Sequence, residues 1–346
     1  MHIKAIFTLP LGILLAFTLI SCGQPAAPPS VSDASPAPIS SDPSQQPADS
    51  TAFTFAYPYE MQTLGFHEPL VLDYVPQKVA CMSTAPVLAL LQMEVPLIAV
   101  PESVVVPYPD DLDAAFLGSV VSEDFDIETV VSLEPDLVIA PYSVADSHGA
   151  TLEGLGIPVY YVYSGPAVGY QQVKEQTQTI ADAFSVDDAS TALAEEMMES
   201  FDALEARISE TAPSLEGVTV MVLQSGSANM HMIQTRDGTL GAMADMIGLT
   251  NVYENDASSM VQLDYETALS YNPDLVLCVG MSETGEGHRE LMEADFANNP
   301  EYWNSIPAIA NGDVLYLPVR FVSSAGINVV DNIGELADLV LSHFAQ

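Results

Sequence analysis

The sequence predicts an α/β protein built as two open α/β lobes joined by one long rigid helix. Three observations carry that prediction. Residues 125–140 (FDIETVVSLEPDLVIA) and 263–278 (LDYETALSYNPDLVLC) agree at eight of sixteen aligned positions. The copies start at Phe125 and Leu263, a separation far too long for a solenoid repeat and suited to two lobes of ordinary domain size. Between the copies, residues 171–211 hold no proline, and Ala189, Leu193, Met197, Phe201, Leu204 and Ile208 recur at spacings of three and four. Beyond residue 50 the chain has roughly 296 residues, enough for two sizeable cores.

Each repeat copy reads as a helix followed by a strand. Asp126 and Asp264 can N-cap short helices, with Glu128 and Glu266 in the first turn, where a carboxylate suits the helix dipole. Pro135 and Pro273 end those helices, because the residue before a proline is pushed out of the α region. Leu137 to Ala140 and Leu275 to Cys278 are continuously apolar, as expected of a strand covered on both faces.

The N-terminus stands outside this fold. Lys4 precedes an apolar run ending in Leu19-Ile20-Ser21-Cys22. That pattern predicts a lipoprotein signal peptide over 1–21, with Cys22 as the lipid-bearing residue. A plain transmembrane anchor is the alternative; Pro10, Gly12 and the short run favour the lipobox. Residues 22–52 form the predicted tether. Within 23–50 there are seven Pro, seven Ser and five Ala, a composition that cannot bury a core.

The first lobe is expected over 53–185. A hairpin-like entry is followed by a strand at 76–82. Ser83 and Thr84 then cap a helix beginning near Pro86. Strands follow at 97–100, in the first repeat copy and at 156–162. The joining helix is expected over 186–212, opened by Asp187-Asp188. At 1.5 Å per residue, about 24 residues make a rod about 36 Å long. An ordinary amphipathic helix packed on one lobe fits the same pattern. The second lobe is expected over 213–346. It has a strand from Val218, a returning hairpin strand at 230–234 and a helix at 245–252. The second repeat copy, a last strand at 312–318 and a C-terminal helix from Val330 follow.

Lys and Arg total 7 against 47 Asp and Glu, a formal charge of −40. Removing residues 1–21 takes away Lys4 and no acid, so the processed chain carries 6 − 47 = −41. Nucleic acid and anionic lipid surfaces are therefore poor partners. Cys81 and Cys278 lie at strand positions in different lobes and are expected to be buried free thiols.

The phrases PQKVACMS (76–83), IETVVSLEPDLVIA (127–140), AMADMIGLTNV (242–252), the second PDLVL and PEYWNSIPAIANGDVLYL (300–317) occur in an ordered series behind the lipobox. In order and spacing the chain resembles the helical-backbone substrate-binding proteins of bacterial ABC importers for iron complexes and cobalamin, over roughly residues 60–346. The resemblance implies a ligand cleft between the lobes. It also implies an extracytoplasmic monomer, lipid-anchored to the cell membrane, whose partners are a small-molecule metal complex and an ABC permease with its ATPase. Ligands of open α/β sheets lie beyond the carboxyl ends of the strands. That rule nominates Ser83, Thr84, Glu102 and Tyr142 in the first lobe, and Gln224, Met281, Arg320 and Phe321 in the second. Glu128 and Glu266 match the family's permease-docking positions, one per lobe; a purely dipole-stabilising role is the other reading.

Ligand class follows from charge. Tricatecholate ferric siderophores are strongly anionic, and Arg320 is the one cation expected at a strand end. Haem, a hydroxamate siderophore or a corrinoid is favoured, carried as cargo, with no intrinsic cofactor. His231, beside Met230 and Met232, is a candidate axial ligand for haem. A bare metal ion is disfavoured because His67, His148, His231, His288 and His343 are scattered. An extracytoplasmic enzyme on a two-lobed scaffold is the competing class, but no GxSxG, HExxH, Walker or GxGxxG pattern is present. A purely adhesive lipoprotein would not need the ordered series.

Overall fold

The structure, a computed structural model, describes residues 52–120, 125–163, 169–225, 231–253, 258–322 and 326–345. Cys22, the tether up to residue 51 and Met230 lie outside them.

The first lobe opens with β1 (Phe53–Phe55), α1 (Tyr59–Thr63) and β2 (Leu70–Leu72). β1 and β2 pair antiparallel in a two-stranded sheet, which is the expected entry hairpin with a helical turn inserted. Next come β3 (Val79–Cys81), α2 (Thr84–Gln92), β4 (Leu97–Pro101), β5 (Ala115–Leu117), α3 (Ile127–Ser132), β6 (Leu137–Pro141), α4 (Ala150–Gly154), β7 (Val159–Val162) and α5 (Tyr170–Phe184). The five strands β5-β4-β3-β6-β7 form one parallel sheet. The sequence did not suggest β5, which is a very short strand and follows an irregular stretch.

Then comes α6 (Asp188–Thr211), 24 residues long as expected. The Asp187 carboxylate accepts from the Ser190 amide at 2.8 Å, capping it. Lys174 of α5 ion-pairs Glu205 of α6 at 2.7 Å and Asp202 at 3.2 Å.

The second lobe contains β8 (Thr219–Ser225), β9 (His231–Gln234), α7 (Thr239–Met246), β10 (Thr250–Asn251), β11 (Met260–Gln262), α8 (Tyr265–Ala268), β12 (Leu275–Val279), α9 (Gly285–Asn298), α10 (Pro300–Trp303), α11 (Pro307–Asn311), β13 (Val314–Leu317) and α12 (Val329–Phe344). Its sheet runs β11-β9-β8-β12-β13, with β10 added beside β8. β9 is antiparallel to β8, the expected hairpin return. The helix expected at 245–252 is corrected: α7 ends at Met246, Gly248 turns the chain at φ 95°, and Thr250–Asn251 is a strand. On α12, Asp338 pairs with Arg207 of α6, so the long helix is tied to both lobes.

The repeat copies occupy matching places. β6 lies between β3 and β7, and β12 between β8 and β13. Each copy's Asp clamps its inner neighbour. Asp136 Oδ2 and Oδ1 accept from the Gln77 and Lys78 amides at 2.8 and 2.9 Å. Asp274 Oδ2 accepts from the Thr219 amide and hydroxyl at 2.8 and 2.7 Å. The PDLV phrase thus sets strand register, a reason for its recurrence that the sequence did not reveal.

Alternate residues of these strands face different cores, as a strand's period of two requires. Val79, Cys81, Leu137 and Ile139 face one core, while Ala80, Val138 and Ala140 face another. In the second lobe Val220, Val222, Leu275 and Leu277 join that same first core, while Met221, Leu223, Val276 and Cys278 face a third. One apolar core therefore runs through both lobes. Met197, Phe201, Leu204 and Ile208 of α6 lie in it. Both readings of the long helix hold together, since it joins the lobes and packs amphipathically. Cys81 and Cys278 are free and buried; burial pushes the Cys81 thiol up to about 12 and raises that of Cys278 further.

Candidate functional site

Most residues nominated from the sequence lie at or near the carboxyl ends of the strands. In the first sheet, β3 leads to Ser83 and Thr84, β4 to Glu102 and β6 to Tyr142. Ser83 is buried and occupies the N-cap of α2, yet its side chain makes no capping bond. It acts there through its extended backbone, which lets α2 begin at Thr84, ahead of the expected start near Pro86. Glu102 is exposed, and its amide is held by the Leu117 carbonyl at 2.7 Å. Tyr142 is half-buried and stacks on Tyr163 at 5.7 Å with planes 17° apart. Tyr163 follows β7, so two strand ends together present one aromatic pair. Burial raises the Tyr163 phenol above its ordinary value, with Tyr142 and Glu60 adding to the effect.

In the second sheet, Gln224 is half-buried near the end of β8 and accepts from Gln234 Nε2 at 2.6 Å. Gln234 itself is buried, and its Oε1 receives the Leu240 amide at 2.8 Å, stitching β8, β9 and α7 together. Met281, just past β12, is 70% exposed. Arg320 lies in a 3-10 turn after β13, hooked to the neighbouring loop by the Val319 amide donating to Ser282 O at 2.8 Å.

Two nominations are corrected. Phe321 is fully buried in the core that runs through both lobes, so it supports the Arg320 guanidinium 5.2 Å from its ring centroid and presents no face to a ligand. His231 is also buried. Its Nε2 lies 2.9 Å from Asp295 Oδ2, and its ring meets Trp303 edge-on at 5.5 Å. A ring engaged this way has no free nitrogen at the surface for haem iron. Next to it, His288 of α9 is fully buried, and burial with the neighbouring His231 lowers its pKa.

Both lobes contribute to a cavity of about 450 Å³. Val104–Pro107, in the loop after β4, form one wall. The second lobe contributes Glu283, Arg320, Asp331 and Glu335. The volume falls in the usual range for small-molecule sites, about 300–1,000 Å³. Tyr142 is not among the described residues lining it. Arg320 is not a free cation: its Nη2 lies 2.6 Å from both Glu335 oxygens. Nothing in the sequence marks this pairing, because Glu335 sits inside a helix rather than at a strand end. Val104 to Val106 escape notice too, since apolar residues after a strand carry no ligand signature. Among the described residues no group of three His, Cys, Asp or Glu is arranged to hold a metal ion.

Glu128 and Glu266 are both exposed in the first turns of α3 and α8. Their amides donate to the Asp126 and Asp264 carboxylates at 2.9 and 3.2 Å. Each helix precedes the repeat strand of its own lobe, so the glutamates occupy equivalent places.

Comparison with known proteins agrees with this architecture. Among solved structures, the periplasmic haem-binding protein HutB of Vibrio cholerae is 17% identical and aligns over 76% of this chain and 98% of its own, with a TM-score of 0.63. A periplasmic binding protein from Veillonella parvula is 16% identical over 83% and 97%, with a TM-score of 0.65. The iron-uptake ABC transporter substrate-binding protein PiuA of Streptococcus pneumoniae is 18% identical over 78% and 94%, with a TM-score of 0.60. No curated protein matches by sequence. The family model described as "periplasmic binding protein" matches residues 79–320, from the first strand of the large parallel sheet to Arg320, well over half of the chain. The chain therefore belongs to the periplasmic binding protein family.

Proposed function

We propose that this chain is an extracytoplasmic solute-binding lipoprotein that captures an iron complex, haem or a ferric siderophore, and delivers it to an ABC permease. The observation that carries the reading is the cavity formed jointly by the loop after β4 and the turn after β13, beyond the carboxyl ends of both sheets. Thr84, Glu102, Tyr142, Gln224 and Met281, near strand ends, are the further ligand contacts in this reading, beside Arg320 in the cavity lining. The family membership supports binding rather than turnover, and the haem and iron proteins among the fold relatives support the cargo class. Glu128 and Glu266 are the docking residues in this reading; their exposure and equivalent placement suit a partner that contacts both lobes. Cys22 carries the lipid, 22–52 is the tether, and the processed chain works as a monomer. No helix among the described residues is long and apolar enough to cross a membrane.

Titration of the purified full chain with haem, a ferric trihydroxamate, a ferric tricatecholate and a corrinoid tests the reading, with absorbance bands and buried Trp303 fluorescence as readouts. Saturable one-to-one binding of an iron complex is expected, without chemical change to the ligand. Corrinoid binding alone would move the protein to cobalamin uptake. Conversion of a ligand would make it an enzyme.

A further inference from the structure

We infer that Glu335 sets the charge selectivity of the interlobe cavity. By holding Arg320 it occupies the one guanidinium among the described residues lining the site, and commits the cavity to neutral or cationic metal chelates, against polyanionic ones. This rests on the reading of the cavity as the site for an iron complex.

The geometry is specific. Nη2 of Arg320 lies 2.6 Å from both Oε1 and Oε2 of Glu335. The guanidinium is backed by the Phe321 ring at 5.2 Å, and the Asn332 amide group donates to the Arg320 carbonyl at 3.1 Å. Asn328, Asp331, Asn332 and Glu335 recur at helical spacing and all line the cavity, so one face of the α12 segment supplies that wall. With the ion pair neutral, Glu283 and Asp331 leave the described lining with two uncompensated carboxylates. The surrounding chain is also strongly acidic, with a formal charge of −40.

Chelate chemistry then sorts the ligands. Three dianionic catecholates around ferric iron leave a triply negative complex. Three monoanionic hydroxamates leave a neutral one, and a pendant ammonium makes it a cation. A triply negative complex that takes Arg320 must displace Glu335 and leave its carboxylate facing like charge, which is unfavourable at short range. A neutral or cationic complex leaves the pair intact and meets a lining that includes Val104–Val106, Glu283 and Asp331.

The test is a ratio of affinities within each variant, so that a general loss of binding cancels. The full chain is titrated with a ferric tricatecholate, a neutral ferric trihydroxamate and an ammonium-bearing ferric trihydroxamate. The unaltered protein should prefer the trihydroxamates by about tenfold or more, the ammonium-bearing one gaining most at low salt. Glu335→Gln should narrow the gap by about tenfold through a gain in tricatecholate affinity, a charge-assisted contact being of that size. Adding Arg320→Gln should abolish the gain. Glu283→Gln with Asp331→Asn, which leaves the ion pair untouched, should narrow the gap less. Equal affinity of the unaltered protein for all three chelates would overturn the inference, as would an unchanged ratio in Glu335→Gln. If the unaltered protein binds none of these three chelates, this inference falls, and if it binds no haem either, the iron-complex reading falls with it.

Discussion

Replacing Asp136 by alanine should destabilise the protein by about 2 kcal/mol, the loss of two partly solvated hydrogen bonds to a charged group. The carboxylate takes two backbone amides, from Gln77 and Lys78 at 2.8 and 2.9 Å, at the start of β3. A hydrogen bond to a charged group contributes roughly 1.5–3 kcal/mol, and the half-exposed position lets water replace part of it, so about 1 kcal/mol per bond is appropriate here. The folded part has roughly 295 residues; at about 2.1 cal/mol/K per residue, its unfolding entropy is close to 0.6 kcal/mol/K. The melting temperature should therefore fall by about 3 °C. Asp136→Asn keeps one acceptor oxygen and should lose about half as much. Asp274→Ala should cost less than Asp136→Ala, because one of its two donors is the Thr219 hydroxyl, which can turn to water. Calorimetry on the three variants decides the matter. Wild-type melting of Asp136→Ala, or equal losses in Asn and Ala, would refute the clamp.

Three further outcomes are expected. Gly326 has φ 76°, and a Cβ there would sit 1.8 Å from the Ala85 carbonyl oxygen at the start of α2. Gly326→Ala should lower the melting temperature and weaken ligand binding together, because the segment leading into α12 can no longer seat against the first lobe; unchanged melting would contradict that contact. Burial lowers the His288 pKa, so the folded protein takes up that proton less readily than the unfolded chain, whose histidine titrates near 6.5. The stability from this residue is complete above about pH 6.5 and is lost as pH falls below it, so His288→Phe should melt with a flatter pH dependence between about pH 7.5 and 5. Parallel curves would count against it. Glu128→Ala combined with Glu266→Ala should leave ligand affinity unchanged while impairing uptake and permease-stimulated ATP hydrolysis more than either single change; normal transport would sink the docking role.

What was legible in the sequence was whatever local pattern dictates. Asp126, Asp187 and Asp264 marked helix starts because a capping carboxylate acts on amides within its own turn. The apolar spacing of α6 gave its length, and the continuous runs at 137–140 and 275–278 gave doubly covered strands. β5 was invisible because so short a strand carries no periodicity. α7 was placed too late, at 245–252 instead of Thr239–Met246, because the apolar pattern continues past Gly248 into β10. Strand-end placement pointed to Arg320, which lines the cavity, and to Met281, which lies exposed just past β12. It could not say that Phe321, its immediate neighbour, turns inward, or that His231 is claimed by Asp295 from a distant part of the chain. Glu335 was missed for the same reason: an ion pair between a turn and the body of the next helix leaves no mark in spacing.

The single core running through both lobes limits how far the molecule can flex. Prising the lobes apart enough to expose about 200 Å² of apolar surface would cost roughly 5 kcal/mol at about 25 cal/mol per Å². By thermal motion alone, only about one molecule in a few thousand would be that open at any instant. Such a receptor is set close to its holding shape before cargo arrives, so capture involves little rearrangement and can proceed near the rate of encounter. The asymmetry appears at the other end of the journey. A grip that needs no closing motion also has no open state to speed release, so the ligand's own dissociation rate sets how fast the cargo leaves unless a partner accelerates it.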